Sequence, residues 1–552
     1  MYRRMASMLV LLPMVVHVYG QNNYDSLEKY VDSVFMGFSG TKTPGCAVAI
    51  IAQGKLVFEK GYGMANLECG APVTPKTIFD VASVSKQFTG FAISTLIQSG
   101  KISPDDDVHK YLPELPDFGK KITISNLLHH TSGLRDWPEG LHIAGWRWED
   151  PIYFEDIIRM VYHQKQLDFD PGSRFSYSNT GYNLLAAIVE KVTGAPLKDW
   201  EEQNIFKPFG MEQSGIRDNY GSIINGRAVS YYAAGNGFNA SSDALMAYGS
   251  SSLFTSVEDL SKWVIHFQQS VKTGDPVYER MIQTGQLGDS QIVHYGYGLE
   301  VNDRQGIKII SHDGGWAGYH SIIINYPQRN ISFIILSNAD RFDPTRYAAA
   351  ISMFYFGDIF KEEAAAEDLS SLPTVKVVPP LLQKYTGSFQ LATGWYVTFT
   401  SENGQLMVQA TGEDKVVTEA KSDSVFWVPQ YKAYFTFPAG GTGKVSEVKY
   451  RYHHIVAPRV TPSVITPQQL HEFAGSYYSE EFETGYRITV DKNKLILHHM
   501  RLGDIAAEPD LVIKDLFHCG LGALKFYRNG SEKVVGYRLS GGRVKNIEFH
   551  KE

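Results

Sequence analysis

The chain has 552 residues, of which 43% are hydrophobic, 20% charged and 13% aromatic, a globular composition that excludes disorder as its main state. At roughly 150 residues per domain this length predicts three or four domains. A formal net charge of −7 and the lack of any Lys/Arg-rich run leave phosphate backbones no electrostatic reason to bind, so no nucleic-acid role is expected.

The first 20 residues read as an export leader. Arg3 and Arg4 form a charged start, Met8 to Val16 an apolar stretch broken by Pro13, and Val18-Tyr-Gly20 a cleavage point before Gln21. The apolar run is too short to span a bilayer, and no other stretch is long and apolar enough to do so. The next segment, Gly45-CAVAIIAQGKLVFEKGYGMAN, is two β-rich runs around Gln53-Gly54, a hairpin signal. Of the three cysteines, Cys46 and Cys69 would form the one feasible bridge if these two strands bring them together; Cys519 stands far off.

Ser85-KQFTGFAISTLIQSG follows, apolar nearly all round with Gly100 as its stop, and predicts a helix in the middle of a domain. Residues 105–250 are rich in Pro, Trp and Gly turns between short helices. Tyr295-GYGLEV, Ile307-KIIS, Ser321-IIINYP and Ile331-SFIILSN predict successive strands, and Asp343 to Phe360 a helix. Strands, a helical insertion, then strands and a helix make an α+β fold: an antiparallel sheet with flanking helices over residues 24–362.

A linker is expected over 363–380, ending in two prolines. Beyond it the chain repeats itself. Leu382-QKYTGSF matches Leu470-HEFAGSY, Gly404-QLMV matches Asn493-KLIL, and Lys444-VSEVKYR matches Lys533-VVGYRLS, at an offset of about 89 residues. Each copy is a series of short alternating strands with turn signals. The expectation is two small all-β antiparallel barrels or sandwiches, over 381–456 and 468–552, separated by the Pro-bearing stretch 457–467.

Three motifs carry chemistry. In Ser83-Val-Ser-Lys86 the serine and lysine stand three apart at a helix start, on one face, where free N–H groups point at the serine. A desolvated lysine can lose its proton and activate a serine nucleophile. Tyr177-Ser-Asn179 offers a phenol as general base and an amide for a substrate carbonyl. His312-Asp-Gly-Gly315 lets a strand edge approach a bound substrate, with the Gly315 and Ser83 N–H groups forming an oxyanion hole. The histidine pairs His129-His130, His453-His454 and His498-His499 are adjacent and point apart, so they make no ready chelate. There is no H-E-x-x-H, C-x-x-C or G-x-S-x-G, and neither a metal nor an organic cofactor is expected.

In this order the three motifs resemble those of the penicillin-recognising serine hydrolases, a superfamily that includes class C β-lactamases, D,D-carboxypeptidases, D-aminopeptidases and esterases. Leu127-LHHTSGL, Asp170-PG, Ser252-LFTSVEDL, Tyr295-GYG and Gly314-GWAGYH agree, and the likeness covers residues 25–360. The resemblance implies a β-lactamase/D,D-peptidase-like fold. It also implies two-step acyl transfer: Ser83 as nucleophile, Lys86 as its proton partner, Tyr177 as the base that activates water, Asn179 as a positioning amide and His312 lining the site.

Where relatives of that superfamily carry Lys-Thr-Gly or Lys-Ser-Gly, this chain has His312-Asp313-Gly314, which removes the cation and hydroxyl that receive a substrate carboxylate. Asp313 in the cleft would favour an amine; pointing away, it would do nothing. The His-x-Gly form resembles D-aminopeptidases and esterases, and the repeated modules resemble the lipocalin-like barrels that follow some of these enzymes. They imply either a lid at the active site or passive modules. The expected function is an exported serine hydrolase acting on small amides or esters, with short peptides containing D-residues favoured. An esterase, a D,D-carboxypeptidase or β-lactamase, and a non-catalytic penicillin-binding sensor are the alternatives.

Overall fold

The computed structural model describes residues 21–38, 40–357, 359, 371–438, 443–450, 455–463 and 465–552. The leader expected over 1–20 and residues 363–370 of the expected linker lie outside these. Six strands form an antiparallel sheet: β1 (Cys46–Ala52), β2 (Lys55–Tyr62), β3 (Glu300–Arg304), β4 (Ile307–Trp316), β5 (Tyr319–Tyr326) and β6 (Ile331–Ser337), in the order β3-β4-β5-β6-β1-β2. The Gln53-Gly54 hairpin forms as expected, both residues taking the positive φ that a tight two-residue turn between twisted strands requires.

Helices cover both faces, which explains why β1 and β6 are apolar at nearly every position. On one side Val48, Ile50, Phe333 and Ile335 pack with Leu27 and Val31 of α1 (Gln21–Val34) and Ile351 of the C-terminal helix. On the other, Ala47, Ala49, Ile51, Ile334 and Leu336 pack under α2 (Lys86–Gln98) and the larger helical region. That region includes α3 (Trp137–Ile143), α4 (Asn179–Thr193) and α5 (Val257–Thr273); α6 (Pro344–Phe356) closes the first face. α2 is buried nearly all round, as its composition demands. Two glycines set its depth: a Cβ on Gly90 would lie 2.2 Å from the Tyr297 carbonyl oxygen, and one on Gly298 2.3 Å from that of Lys86.

Two expectations change here. Cys46 is buried on the α1 side of β1 and Cys69 sits in an exposed turn beyond β2, so both are free even though the strands pair. And β4 does not stop before the His312 motif. It pairs with β5 through Gly314↔Ser321 to Trp316↔Tyr319, and the turn falls at Ala317-Gly318. Its other edge pairs with β3 only as far as Ser311, so the edge of 312–316 is left open.

The repeat folds into two antiparallel β units. The first is a nine-stranded sheet whose end strands, Val416–Val417 and Glu419–Ala420, are separated only by Thr418, so it is nearly closed; the second is a closed barrel of eight strands running from Gly475–Ser479 to Val544–Lys551. Each is preceded by a short helix that plugs it with matching residues, Leu382 and Tyr385 in one copy, Leu470 and Phe473 in the other. Residues 457–460, expected as linker, continue the strand Ile455–Val460, with Pro458 opposite Glu447 in a sheet position that needs no N–H. Val377 of the other expected linker is buried in the first unit.

The closed barrel docks on the helical region. Trp137, Leu141 and Ile143 of α3 share an apolar cluster with Phe482, Tyr486 and Phe549 of the barrel. Beside it Arg135, fully buried, donates to Glu481 of the barrel (2.5 and 3.2 Å) and to Asp168 (2.7 Å). Burial pushes the Asp168 carboxyl up to about 6 and raises that of Glu481, with Arg135 opposing in both. Removing one partner of such a buried set costs about 3–5 kcal/mol. Arg135→Met is therefore expected to lower stability by about that amount at pH 7, measured by urea denaturation. With the arginine gone both carboxyls rise further above their unfolded values, so the folded state binds more protons and the deficit shrinks as pH falls toward 5. A deficit independent of pH would contradict the assignment.

Candidate active site

Ser83 lies in a single 3₁₀ turn, Ala82–Ser85, that leads into α2. The turn is held at a fixed kink. Ala82 takes φ +46°, an uncommon value for a residue with a Cβ, while its N–H donates to Asp80 (2.8 Å) and its carbonyl accepts from the Ser85 hydroxyl (2.6 Å). β4 then closes on the nucleophile. A Cβ on Gly314 would lie 2.9 Å from the Ser83 nitrogen and 2.4 Å from the Val81 oxygen, so only glycine lets the strand come this near. Gly315 follows on the open edge of β4, exposed beside the nucleophile.

Lys86 is wholly buried, and its Nζ has three partners: Ser83 Oγ at 2.9 Å, Asn179 Oδ1 at 2.7 Å and the Ser250 carbonyl at 2.8 Å. Two of these are carbonyl oxygens, which can only accept. A neutral amine has two N–H groups for them and one lone pair, which then faces the one partner able to donate, the Ser83 hydroxyl. Burial holds the amine well below its usual range, favouring that neutral form.

Asn179 begins α4 and is oriented by Asp136. The buried Asp136 carboxylate accepts from the Asn179 backbone N–H (2.6 Å) and from its Nδ2 (3.0 Å), which leaves Oδ1 to face Lys86. Tyr177 stands beside this group, its ring centroid 4.9 Å from the Lys86 Nζ. Burial drives its phenol upward, with a hydrogen bond to Ser83 opposing, so it rests protonated. Behind it is His130, at φ +57°, whose Nδ1 accepts from the Ser178 N–H (3.0 Å) and whose ring packs 4.3 Å from that of Tyr177 and 4.4 Å from that of Tyr295.

His312 faces the same centre. Its Nδ1 lies 2.6 Å from the Asp313 carbonyl, which can only accept, so Nδ1 carries the proton and Nε2 accepts from the Tyr295 hydroxyl at 2.7 Å. Burial, reinforced by Lys86, takes the imidazole down to about 4, so it is neutral at pH 7. Asp313 is exposed, and its charge is felt by both Lys86 and His312.

The structure thus gathers Ser83, Lys86, Tyr177, Asn179, His312, Gly314 and Gly315 in one place, with Asp313 on the rim. Three further contributors escape a reading of motifs. His130 lies within Leu127-LHHTSGL, but that motif gives it no role; as half of an adjacent pair it makes no chelate, yet its ring packs behind Tyr177. Asp136 follows no motif spacing. Arg543 comes from the hairpin joining the last two barrel strands, more than 360 residues from Tyr177. Its Nη1 donates to Asp136 Oδ2 (2.8 Å) and its guanidinium lies 4.8 Å from the Tyr177 ring centroid. The two-residue turn Gly542-Arg543 between two strands carries no chemical signature of its own.

Aromatic side chains gather beside Gly315. Trp316, next to Gly315, packs 5.9 Å from Trp137 and 6.2 Å from Trp148, which stacks on His142 at 5.0 Å and is 47% exposed.

Comparison with known proteins agrees with this geometry. The family model described as Beta-lactamase matches residues 31–355, more than half of the chain. Penicillin-binding protein 4* of Bacillus subtilis (strain 168) is 26% identical over 422 residues, covering 72% of this chain and 90% of that protein. A D-aminopeptidase of Gluconobacter oxydans (strain 621H) is 27% identical over 312 residues, but the match spans 56% of this chain and only 58% of that enzyme. Among solved structures, the octameric penicillin-binding protein homologue from Pyrococcus abyssi superposes with a TM-score of 0.56 at 23% identity, over 78% of this chain and 99% of that one, a likeness of fold. Since the matched region holds the whole sheet, the buried helix and all three motifs, the chain belongs to the beta-lactamase family and is a serine hydrolase.

Proposed function

We propose that this hydrolase is exported and cleaves small amide or ester bonds through an acyl-serine, with short peptides containing D-residues as its favoured substrates. The observation that carries the mechanism is the Lys86 amine, buried, committed to two carbonyls and turned by its lone pair to the Ser83 hydroxyl. Lys86 takes the Ser83 proton as Oγ attacks the substrate carbonyl, and the Ser83 and Gly315 N–H groups receive the oxyanion. Tyr177, protonated at rest, gives its proton to the leaving group and recovers one from Lys86. In the second half it takes a proton from water while passing its own to Lys86, and Lys86 returns that proton to Ser83 Oγ as the acyl bond breaks, so each step balances.

Three observations support the substrate class. A neutral His312 gives the third motif no fixed cation for a carboxylate, Arg543 is paired with Asp136, and the exposed Asp313 on the rim suits an amine. The relative named a D-aminopeptidase points the same way. A carboxylesterase is the second reading, favoured by the exposed Trp148 packed on Trp316 next to Gly315, an apolar surface that suits an acyl group. Export rests on the Arg3/Arg4 start and apolar run, and is tested by the mass of the mature protein, expected to begin at Gln21.

Ser83→Ala is expected to abolish turnover while changing stability by less than about 1 kcal/mol. A panel of D-Ala-p-nitroanilide, its L counterpart, p-nitrophenyl butyrate, a chromogenic cephalosporin and a D-Ala-D-Ala peptide should show Ser83-dependent release chiefly from the D-anilide. Release chiefly from the butyrate would establish the esterase, and stoichiometric acylation without turnover a sensor. Tyr177→Phe should slow turnover by roughly 10²–10⁴-fold, and a near-normal rate would remove Tyr177 from proton transfer. Protonating Lys86 removes its lone pair, so kcat/KM should rise from the acid side along one ionisation to a plateau. The elevated Tyr177 phenol predicts no alkaline loss through pH 9.

A further inference from the structure

The buried carboxylate of Asp136 has more than one possible counter-charge. It sits one residue, Asn179, away from Lys86: Asn179 Nδ2 donates to Asp136 Oδ2, and Asn179 Oδ1 accepts from Lys86 Nζ. A carboxylate that is 1% exposed in a site of low dielectric draws a proton onto the nearest amine unless another cation satisfies it. Among the described residues the ion pair that Asp136 makes is with Arg543, and that residue belongs to the closed barrel.

The barrel presents it rigidly. The hairpin tip is pressed against α3 so closely that a Cβ on Gly542, which has φ +51°, would lie 2.7 Å from Glu139 Cγ. Next along, the Lys545 N–H donates to Asp168 (2.9 Å), the carboxylate that also receives Arg135. Arg543 thus reaches Asp136 from a base fixed on both sides, with its guanidinium over the Tyr177 ring. We propose that Arg543 is a positioning residue of the active site: its ion pair with Asp136 keeps that carboxylate on Asn179 and stops it from serving as the counter-ion of Lys86. The barrel is then part of the catalytic apparatus. This rests on the reading of Lys86 as the base for Ser83.

The charged and titratable groups around Lys86 allow the sign to be worked out. Asp136 and Asp313 favour its charged form; Arg543 opposes it, and burial opposes it most. His312 and His130 are neutral from burial, and Tyr177 and Tyr182 are held protonated. Taking away Arg543 removes one opposing charge and frees Asp136, so both changes push the lysine toward protonation.

The test is the rate at which an uncharged fluorophosphonate labels Ser83, measured against pH in the full chain. In that reaction Oγ bonds to phosphorus, fluoride leaves and the serine proton passes to Lys86; an uncharged probe removes any effect of Arg543 on substrate charge. In Arg543→Gln the acidic limb should move up by about one pH unit, giving a roughly tenfold slower reaction along that limb that recovers on the alkaline side. Arg543→Lys should restore most of the limb, and Arg543→Gln combined with Asp136→Asn should return it even if the plateau stays low. A limb unmoved in Arg543→Gln, whether the plateau falls or not, overturns the proposal. Failure of the wild-type chain to be labelled at Ser83 would overturn the acyl-serine reading first, and this proposal with it.

Discussion

A primary amine taken out of water must either be given an anion or be allowed to lose its proton, and at Lys86 the neighbours are carbonyl oxygens. The Asn179 amide and the Ser250 carbonyl absorb both N–H groups of the neutral amine and leave its lone pair on Ser83. Most of the structure around the site can be understood as what this arrangement requires. Asp136 fixes which end of the Asn179 amide faces the lysine. Arg543 satisfies Asp136. The twofold-covered sheet and the nearly apolar α2 exclude the water that would return the amine to its charged form.

The same economy governs the third motif. β4 meets Ser83 through Gly314, its far edge being released by β3 after Ser311, and the strand then has only backbone to offer there. His312 turns inward to Tyr295 and carries no charge. Fixed positive charge therefore enters this cleft from another part of the chain, and it arrives already engaged.

Much of this was legible in the sequence, for physical reasons that can be named. β1 and β6 are apolar at nearly every position because helices cover both their faces. α2 is apolar all round because it runs between the sheet and the insertion. The two β units show themselves by Leu382/Leu470 and Tyr385/Phe473, since each unit must plug its end with the same kind of residue. What was not legible depends on contacts between distant segments. The pairing of Cys46 with Cys69 failed because hairpin formation fixes strands but not the turn beyond them. The end of β4, expected at Ser311, falls at Trp316, because the β5 ladder carries His312-Asp-Gly-Gly315 on as strand, which no local apolar pattern announces. Asp136 and Arg543 gave no local signal at all; each has meaning only once the closed barrel is on α3.

That docking has a consequence for the order of events during synthesis. Everything needed for the sheet and for the Ser83–Lys86 pair is made before residue 360, yet the apolar face of α3 and the buried Arg135 are covered only when the barrel of residues 475–551 arrives. Until then a growing chain carries Trp137, Leu141 and an arginine short of one carboxylate uncovered by the barrel, and transiently exposed apolar surface of this kind is prone to association. The nucleophile is thus encoded early in the chain, whereas the cover of α3 and Glu481, the second carboxylate of Arg135, come from the barrel at its far end.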